Sequence, residues 1–151
     1  MKILCVCLGN ICRSPAAEAV LKKSLLNEGL KDCFVDSAGT SAYHQGEPAD
    51  SRMGQALQER GYRSESLSRQ VIEEDFSKFD YILAMDLDNL SQLQQSCPDS
   101  TYLKKIHLFG EISLGKKLEV PDPYYGGPEG FTTVIDLVED MSKGFLETLN
   151  Y

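Results

Sequence analysis

The run Lys2-Ile3-Leu4-Cys5-Val6-Cys7-Leu8-Gly9-Asn10-Ile11-Cys12-Arg13-Ser14-Pro15 decides how the rest of the chain is read. Lys2 to Val6 is short, apolar and rich in Ile, Leu, Cys and Val, which fits a central strand buried on both faces. Ser14-Pro15 is a helix start, an N-cap candidate followed by the residue favoured at the first helical position. Apolar Ala17, Val20, Leu21 and Leu25 and a stop at Gly29 complete a helix of about four turns. The loop between them, Cys7 to Ser14, therefore lies where a buried strand meets a helix N-terminus.

Outward from this run, strand-like and helix-like segments alternate, which argues for an α/β fold with a mainly parallel sheet. Cys33 to Asp36 reads as the second strand and Ala49 to Arg60 as a helix stopped by Gly61. Phe79 to Met85 is the third strand, Asp88 to Gln95 a helix and Ile106 to Phe109 the fourth strand. Phe131, Val134, Ile135, Val138, Met141, Phe145 and Leu149 recur at helical spacing and predict a closing amphipathic helix. Ser37 to Pro48 and Gly110 to Gly130 follow neither period and read as long functional loops. In open parallel sheets ligands bind at the carboxyl ends of strands, so the loops after strands one, two and four are expected to face one crevice. No repeat or interdomain linker breaks the chain, and residues 1–151 read as a single domain.

Composition narrows the function. With 151 residues, 42% hydrophobic and 25% charged, the chain is one globular domain able to bury about 68–70% of its unfolded surface without disulfides or a structural metal. Its formal net charge of -8 repels nucleic acid and anionic lipid, so neither is an expected partner, and any bound anion needs a local device. Five cysteines, three of them crowded at Cys5, Cys7 and Cys12, are not a secreted disulfide framework. With no signal-peptide pattern and no run near the ~20 apolar residues of a membrane span, the expected location is cytoplasmic, with reduced thiols.

The local device is the Cys7–Ser14 loop. Backbone N–H groups gathered there, with the helix dipole behind them, make an anion cradle. The Lys and second Gly of a nucleotide-binding P-loop are missing, which argues against nucleotides. In their place stand a thiol at Cys7 and a guanidinium at Arg13 with five residues between. Arg matches two oxygens of a tetrahedral oxyanion, and the same positive surroundings favour a thiolate. A thiolate at the base of a phosphate-shaped nest points to hydrolysis of phosphate monoesters through a cysteinyl-phosphate. A bare Cys-x5-Arg is common by chance, so the weight rests on its context of strand, Gly9, Ser14-Pro15 and helix. The bland readings are buried apolar thiols with a surface Arg, or a zinc site from Cys5, Cys7 and Cys12 that lacks a fourth ligand, and no metal is expected. The leaving oxygen needs a proton, for which Asp122 in Glu119-Val120-Pro121-Asp122-Pro123-Tyr124-Tyr125-Gly126 is the candidate and an ordinary Asp-Pro turn the alternative. His44, on a rim, and His107, in a strand pattern, are weaker candidates.

Val6 to Pro15 with Ala17-Glu18-Ala19 resembles the signature of the low-molecular-weight protein tyrosine phosphatases. Asp36-Ser37-Ala38-Gly39-Thr40-Ser41, Gly46-Glu47-Pro48-Ala49-Asp50, Ser68-Arg69-Gln70, Asp75-Phe76, Phe79 to Asp86 and Asp122-Pro123-Tyr124-Tyr125-Gly126 extend the resemblance over essentially the whole chain. It implies a four-stranded parallel sheet with helices on both faces and no metal or organic cofactor. It implies Cys7 as nucleophile, Arg13 as phosphate clamp, Asn10 and Ser14 as supports of thiolate and loop, and Asp122 as general acid and then base. Where the family usually carries a His that braces Asn10, this chain has Ser66, with Ser66 or a water as the substitute. Tyr43 stands at the family's aromatic position on the loop after the second strand, and Asp86 resembles a family carboxylate near the site, with a helix-start role as the alternative.

Leu8, Gly9, Asn10, Ile11, Cys12 and Arg13 of the loop, with Tyr43 and Tyr124, are the expected substrate-binding residues; of these Leu8, Ile11, Tyr43 and Tyr124, with Tyr125 beside them, are expected to wall an apolar slot that prefers a phenyl ring, making phosphotyrosine proteins or peptides the expected partners, with inorganic phosphate and other oxyanions also binding the loop. Cys12 is a candidate to trap an oxidised Cys7 as a disulfide. Three alternatives remain. A thioredoxin-coupled arsenate reductase needs two further cysteines after the third strand, where Met85 to Gln95 has none. A protein-arginine phosphatase resembles this loop with Thr in place of Ile11. A catalytically inactive phosphopeptide-binding module is the non-enzyme reading.

Overall fold

The computed structural model describes residues 1–149, and its order of elements follows from the apolar pattern. Strand β1 (Lys2–Cys7) enters helix α1 (Arg13–Asn27), then come β2 (Phe34–Gly39), α2 (Ser51–Glu59), α3 (Glu73–Lys78), β3 (Tyr81–Ala84), α4 (Leu87–Ser96), β4 (Ile106–Leu108), α5 (Phe109–Leu114) and α6 (Pro128–Thr148), with a 3-10 turn at Ser100–Lys105. The four strands form one parallel sheet in the order β2-β1-β3-β4. β1 is thus central, and residues 3–7 are buried, as a strand covered on both faces must be.

Alternation along β1 sorts the core into two layers. Ile3 and Cys5 pack with α1, α6, Met53 and Leu57 of α2, and Ile112 of α5. Leu4 and Val6 pack on the other face with Phe76 of α3, Phe79 and Leu93 of α4. The chain leaves β1 towards β2 and then returns past β1 to β3 and β4. A crevice consequently opens at the carboxyl end of β1, where the order reverses. Among the described residues no helix is long and apolar enough to cross a membrane.

Several boundaries differ from those expected. Ser37 to Gly39 belong to β2 rather than to a loop, because Cys5, Val6 and Cys7 pair with them in register. The segment expected as one loop from Gly110 to Gly130 begins as helix α5, and only residues 115–127 lack regular structure. Helix α3 and the 3-10 turn went unpredicted, since six residues give too little periodicity to stand out. Ser14 is not the N-cap of α1: the helix starts at Arg13, Cys12 occupies the cap position, and the Ser14 hydroxyl turns inward to the Cys7 thiol instead.

Gly144 marks where α5 and α6 touch. A Cβ there falls 2.3 Å from the Ser113 carbonyl oxygen, which only a glycine permits. Gly144→Ala gains about 1 kcal/mol of helix propensity but overpacks by about 1–3 kcal/mol. The expected outcome is a net fall in Tm of a few degrees in thermal unfolding, opposite in sign to the propensity rule.

Candidate active site

The loop between β1 and α1 is shaped by what its carbonyls bind. The carbonyl of Cys7 accepts from Thr40 N–H, Leu8 from Ser41 N–H, Ile11 from Asp50 N–H and Cys12 from Ala16 N–H, while Gly9 accepts from the Ser68 hydroxyl. Among the described residues no peptide bond is cis, so each N–H points away from the carbonyl of the same peptide unit. With those carbonyls taken, the N–H groups of Leu8, Gly9, Asn10, Cys12 and Arg13 are directed away from these partners and are left to a ligand. The Asn10 N–H lies 3.3 Å from Cys7 Sγ. The bend requires φ of 58° at Asn10, a conformation that Asn tolerates better than most side chains. A Cβ at Gly9 would lie 3.0 Å from His44 Cδ2, so a larger residue there would push the His44 ring aside.

Beneath the loop runs a chain of hydrogen bonds. Ser14 Oγ lies 3.1 Å from Cys7 Sγ, and Asn10 Nδ2 donates to Ser14 Oγ at 2.8 Å and to Ser37 Oγ at 3.0 Å. Ser37 donates to Glu18 at 2.6 Å, and Glu18 is paired with Lys22 at 2.7 Å. Asn10 Oδ1 accepts from Arg69 N–H at 3.0 Å, and the Arg69 guanidinium is held by Asp36 and Asp75. Asn10 and Ser14, the expected supports, are thus brought together with Cys7. Ser66 makes none of these bonds: Ser37 and the Arg69 backbone occupy Asn10 instead. Glu18 and Arg69 were missed as members of the network. The signal for Glu18 was a charged residue one turn after Ser14, on the same buried helix face.

The direction of donation in this chain follows from its end. A carboxylate only accepts, so the Ser37 hydrogen goes to Glu18 and its lone pair faces Asn10. Ser14, already accepting from Asn10, then has its own hydrogen free for Cys7 Sγ at 3.1 Å, a closer partner than the Ala38 carbonyl at 3.5 Å.

Arg13 is 95% buried at the opposite side of the loop. Its Nη1 donates to Asp86 at 2.5 Å and to the Val120 carbonyl at 3.2 Å. Nε and Nη2 have no hydrogen bond among the described residues, which leaves a two-pronged donor edge. Burial opposes the Arg13 charge, but Cys7, Asp86 and Asp122 outweigh it and hold the guanidinium more firmly protonated than usual. Asp86 fills both of its anticipated roles, since its other oxygen caps α4 through Asn89 N–H.

Above the loop lies a cleft of about 410 Å³ whose walls include Leu8, Ile11, Tyr43, His44, Tyr124 and Tyr125. Cys7, Gly9, Cys12, Arg13 and Asp122 also line it, and Asp122 Oδ2 lies 3.8 Å from Arg13 Nη2. The Asn10 side chain points down into the network and is buried, while its N–H faces Cys7 Sγ, so any contact from Asn10 to a ligand is through the backbone. His44 stands on the rim beside Glu47, and His107 packs on Tyr81, half-buried, with burial pushing its pKa down. All five cysteines are free thiols. Burial, then Asp50 and Cys7, push the Cys12 thiol up to about 12, so it stays protonated at neutral pH. Among the described residues no group of three or more His, Cys, Asp or Glu side chains is placed to hold a metal ion.

Residues 2–151 match the family model of the low molecular weight phosphotyrosine protein phosphatases. The chain belongs to that family. A low molecular weight phosphotyrosine protein phosphatase of Schizosaccharomyces pombe is 41% identical over 152 residues, covering 99% of this chain and 97% of that protein. The crystal structure of a protein tyrosine phosphatase from Entamoeba histolytica, with Hepes in its active site, superposes with a TM-score of 0.94 at 51% identity, over 99% of this chain and 96% of that one. A Drosophila arginine phosphatase superposes with a TM-score of 0.93 at 35% identity, over 100% of this chain and 99% of that one. The family is one of hydrolases.

Because Glu18 holds the Ser37 hydroxyl that supports Asn10, Glu18→Gln is expected to lower kcat/KM about two- to tenfold, the range of one hydrogen bond. The check is kcat/KM with p-nitrophenyl phosphate, alongside circular dichroism to show an intact fold.

Proposed function

We propose that this chain hydrolyses phosphotyrosine monoesters through a cysteinyl-phosphate on Cys7. The observation that supports it is the Cys7 thiol at the base of the loop whose N–H groups are left to a ligand, with the free edge of Arg13 on one side and Asp122 above. The five N–H groups and Arg13 Nε and Nη2 receive the non-bridging phosphate oxygens. The Cys7 thiolate attacks phosphorus, the S–P bond forms and the P–O bond to the phenol breaks, with the Asp122 carboxyl proton passing to the leaving oxygen. Water then attacks phosphorus, gives its proton to the Asp122 carboxylate, and the S–P bond breaks to release inorganic phosphate and the thiolate. Ser14 and Asn10 steady the thiolate at the start and end of this cycle.

The substrate follows from the cleft. Leu8, Ile11, Tyr43 and Tyr124 build apolar walls that a planar ring covers better than a short Ser or Thr stem. The arginine-phosphatase neighbour shows that the fold is common to both activities, so the wall decides: Ile11 offers an apolar contact and no hydrogen-bond partner for a guanidinium. The absence of cysteine from Met85 to Gln95 leaves no relay for arsenate reduction. The site of action is a reducing cytoplasm, which keeps Cys7 available.

Three variants test the mechanism. Cys7→Ser is expected to bind phosphate esters without turning them over, and steady-state activity in a clean sample ends the proposal. Arg13→Lys is expected to fail in both binding and turnover, because a point charge does not reproduce the paired donors. Asp122→Ala is expected to steepen the dependence of kcat/KM on leaving-group pKa, and equal losses for all aryl phosphates move the acid elsewhere. On matched peptides, phosphotyrosine is expected to outpace phosphoserine and phosphoarginine; the reverse order replaces this substrate.

The same loop supports reversible oxidation. Peroxide converts the Cys7 thiolate to a sulfenic acid, and the Cys12 thiol condenses with it, releasing water and forming a disulfide that a dithiol returns to two thiols. Cys12, held protonated, does not compete for the oxidant. After a peroxide pulse, wild type is expected to recover with dithiothreitol more fully than Cys12→Ser, with a Cys7–Cys12 linkage seen by mass spectrometry. Equal recovery without that linkage removes the redox role.

A further inference from the structure

Asp122, the proposed acid, stands on a segment with few ties. No long-range hydrogen bond reaches residues 121–126 from the described residues; Gly126 N–H turns back to the Pro123 carbonyl, and Pro123 is buried beside Gly130. The Asp122 carboxylate is half-exposed and is directed by two groups. Arg13 draws Oδ2 from 3.8 Å, and the Tyr124 N–H donates to Oδ1 at 3.1 Å. The orientation of the acid therefore depends on where Tyr124 sits.

Tyr124 is held by Arg52. The Arg52 guanidinium lies 5.3 Å from the Tyr124 ring centroid and 4.7 Å from that of Phe131, a buried residue at the start of α6. Its own position is fixed by a fork-to-fork pair, Nε to Asp50 Oδ1 at 3.1 Å and Nη2 to Asp50 Oδ2 at 2.9 Å. That hydrogen-bonded pairing holds the Asp50 carboxyl below its usual range. Asp50 in turn donates its N–H to the Ile11 carbonyl at 2.8 Å, one of the bonds that take up the carbonyls of the phosphate loop. A continuous path thus runs from the nucleophile loop through Asp50, Arg52 and Tyr124 to the acid.

We infer that Arg52 is a positioning residue for the acid step, strapping Tyr124 so that the Asp122 carboxyl meets the leaving oxygen above a phosphate held on the Cys7 loop. The inference rests on Asp122 being the acid. Arg52 is not among the residues that line the cleft, and its guanidinium is taken up by Asp50 and the two rings, so it acts on proton transfer rather than on anion capture. Arg, with a planar cation that stacks on two rings while gripping a carboxylate, suits this post; Lys retains the charge and loses the fork.

The experiment measures kcat/KM over a series of aryl phosphates of rising leaving-group pKa for wild type, Arg52→Ala, Arg52→Lys and Asp122→Ala, with the inhibition constant of inorganic phosphate for each. Arg52→Ala is expected to lose about three- to fivefold on esters of basic phenols, the range of an exposed cation–π contact, and less than about twofold on p-nitrophenyl phosphate, with phosphate inhibition unchanged. Arg52→Lys is expected to fall between. Combined with Asp122→Ala, Arg52→Ala is expected to add nothing, since the group it orients is gone. A uniform loss across the series, or a weaker phosphate inhibition of matching size, makes Arg52 an electrostatic collector and overturns the inference. Full additivity with Asp122→Ala overturns it too. If Asp122→Ala shows no leaving-group dependence, the acid assignment fails instead, and the two failures are told apart. Arg52 is half-exposed and Asp50 keeps its cap on α2 through the backbone N–H of residue 52, so these variants are expected to fold.

Discussion

Everything at the site depends on where the carbonyls of one short loop find partners. Peptide units are rigid dipoles, and pulling one end outward drives the other inward. Five of the six residues 7–12, all but Asn10, give up their carbonyls: to Thr40 and Ser41 just past β2, to the Ser68 hydroxyl, to the Asp50 backbone and to Ala16 at the start of α1. An anion site results without a single lysine, in a chain whose net charge is -8. The whole-molecule field opposes an anion, and local dipoles with one buried guanidinium overcome it at short range.

This arrangement explains why the environment of the loop is polar underneath although the strands around it are apolar. Asn10, Ser14, Ser37 and Glu18 are buried, a costly set unless each donor and acceptor is paired. They are paired with one another, and the chain closes on Lys22 at the surface, where a charge is tolerated. Where the family resemblance implied a histidine bracing Asn10, this chain has Ser66 turned to no such task. The load is carried by Ser37 and by the backbone of Arg69, itself locked by Asp36 and Asp75. Opposite this floor, the segment around Asp122 is tied to the rest of the chain by side chains, by Arg13, the buried Pro123 and the Arg52–Tyr124 contact, and by no long-range backbone hydrogen bond among the described residues. The site thus joins a densely bonded floor to a segment around Asp122 with few ties to the rest of the chain.

Much of this was legible in the residues. Lys2 to Val6 had to be a buried strand, because an unbroken apolar run of that length ending at Gly9 has few other homes, and Ser14-Pro15 had to open a helix nearby. The cradle, the thiol and the guanidinium at a five-residue interval follow from those two elements. The loop-like character of residues 115–127 and the closing helix were equally plain, the latter because its seven apolar residues keep a helical period over five turns. Less legible were α3, α5 and the extra length of β2. Short helices give no period to read, and Ser37-Ala38-Gly39 is strand only because β1 lies alongside it.

The sequence by itself determined the family and the loop that carries Cys7 and Arg13 between a strand and a helix, because the backbone signals that set that loop act within a few residues of one another. Tertiary structure alone decided the second rank of residues. Glu18 reaches Ser37 across 19 positions, Arg13 reaches Asp86 across 73 and Val120 across 107, and Arg69 reaches Asn10 across 59. Such pairings leave no periodic trace, because hydrogen bonds and ion pairs depend on distances of about 3 Å that only the packed sheet and its crossovers bring about.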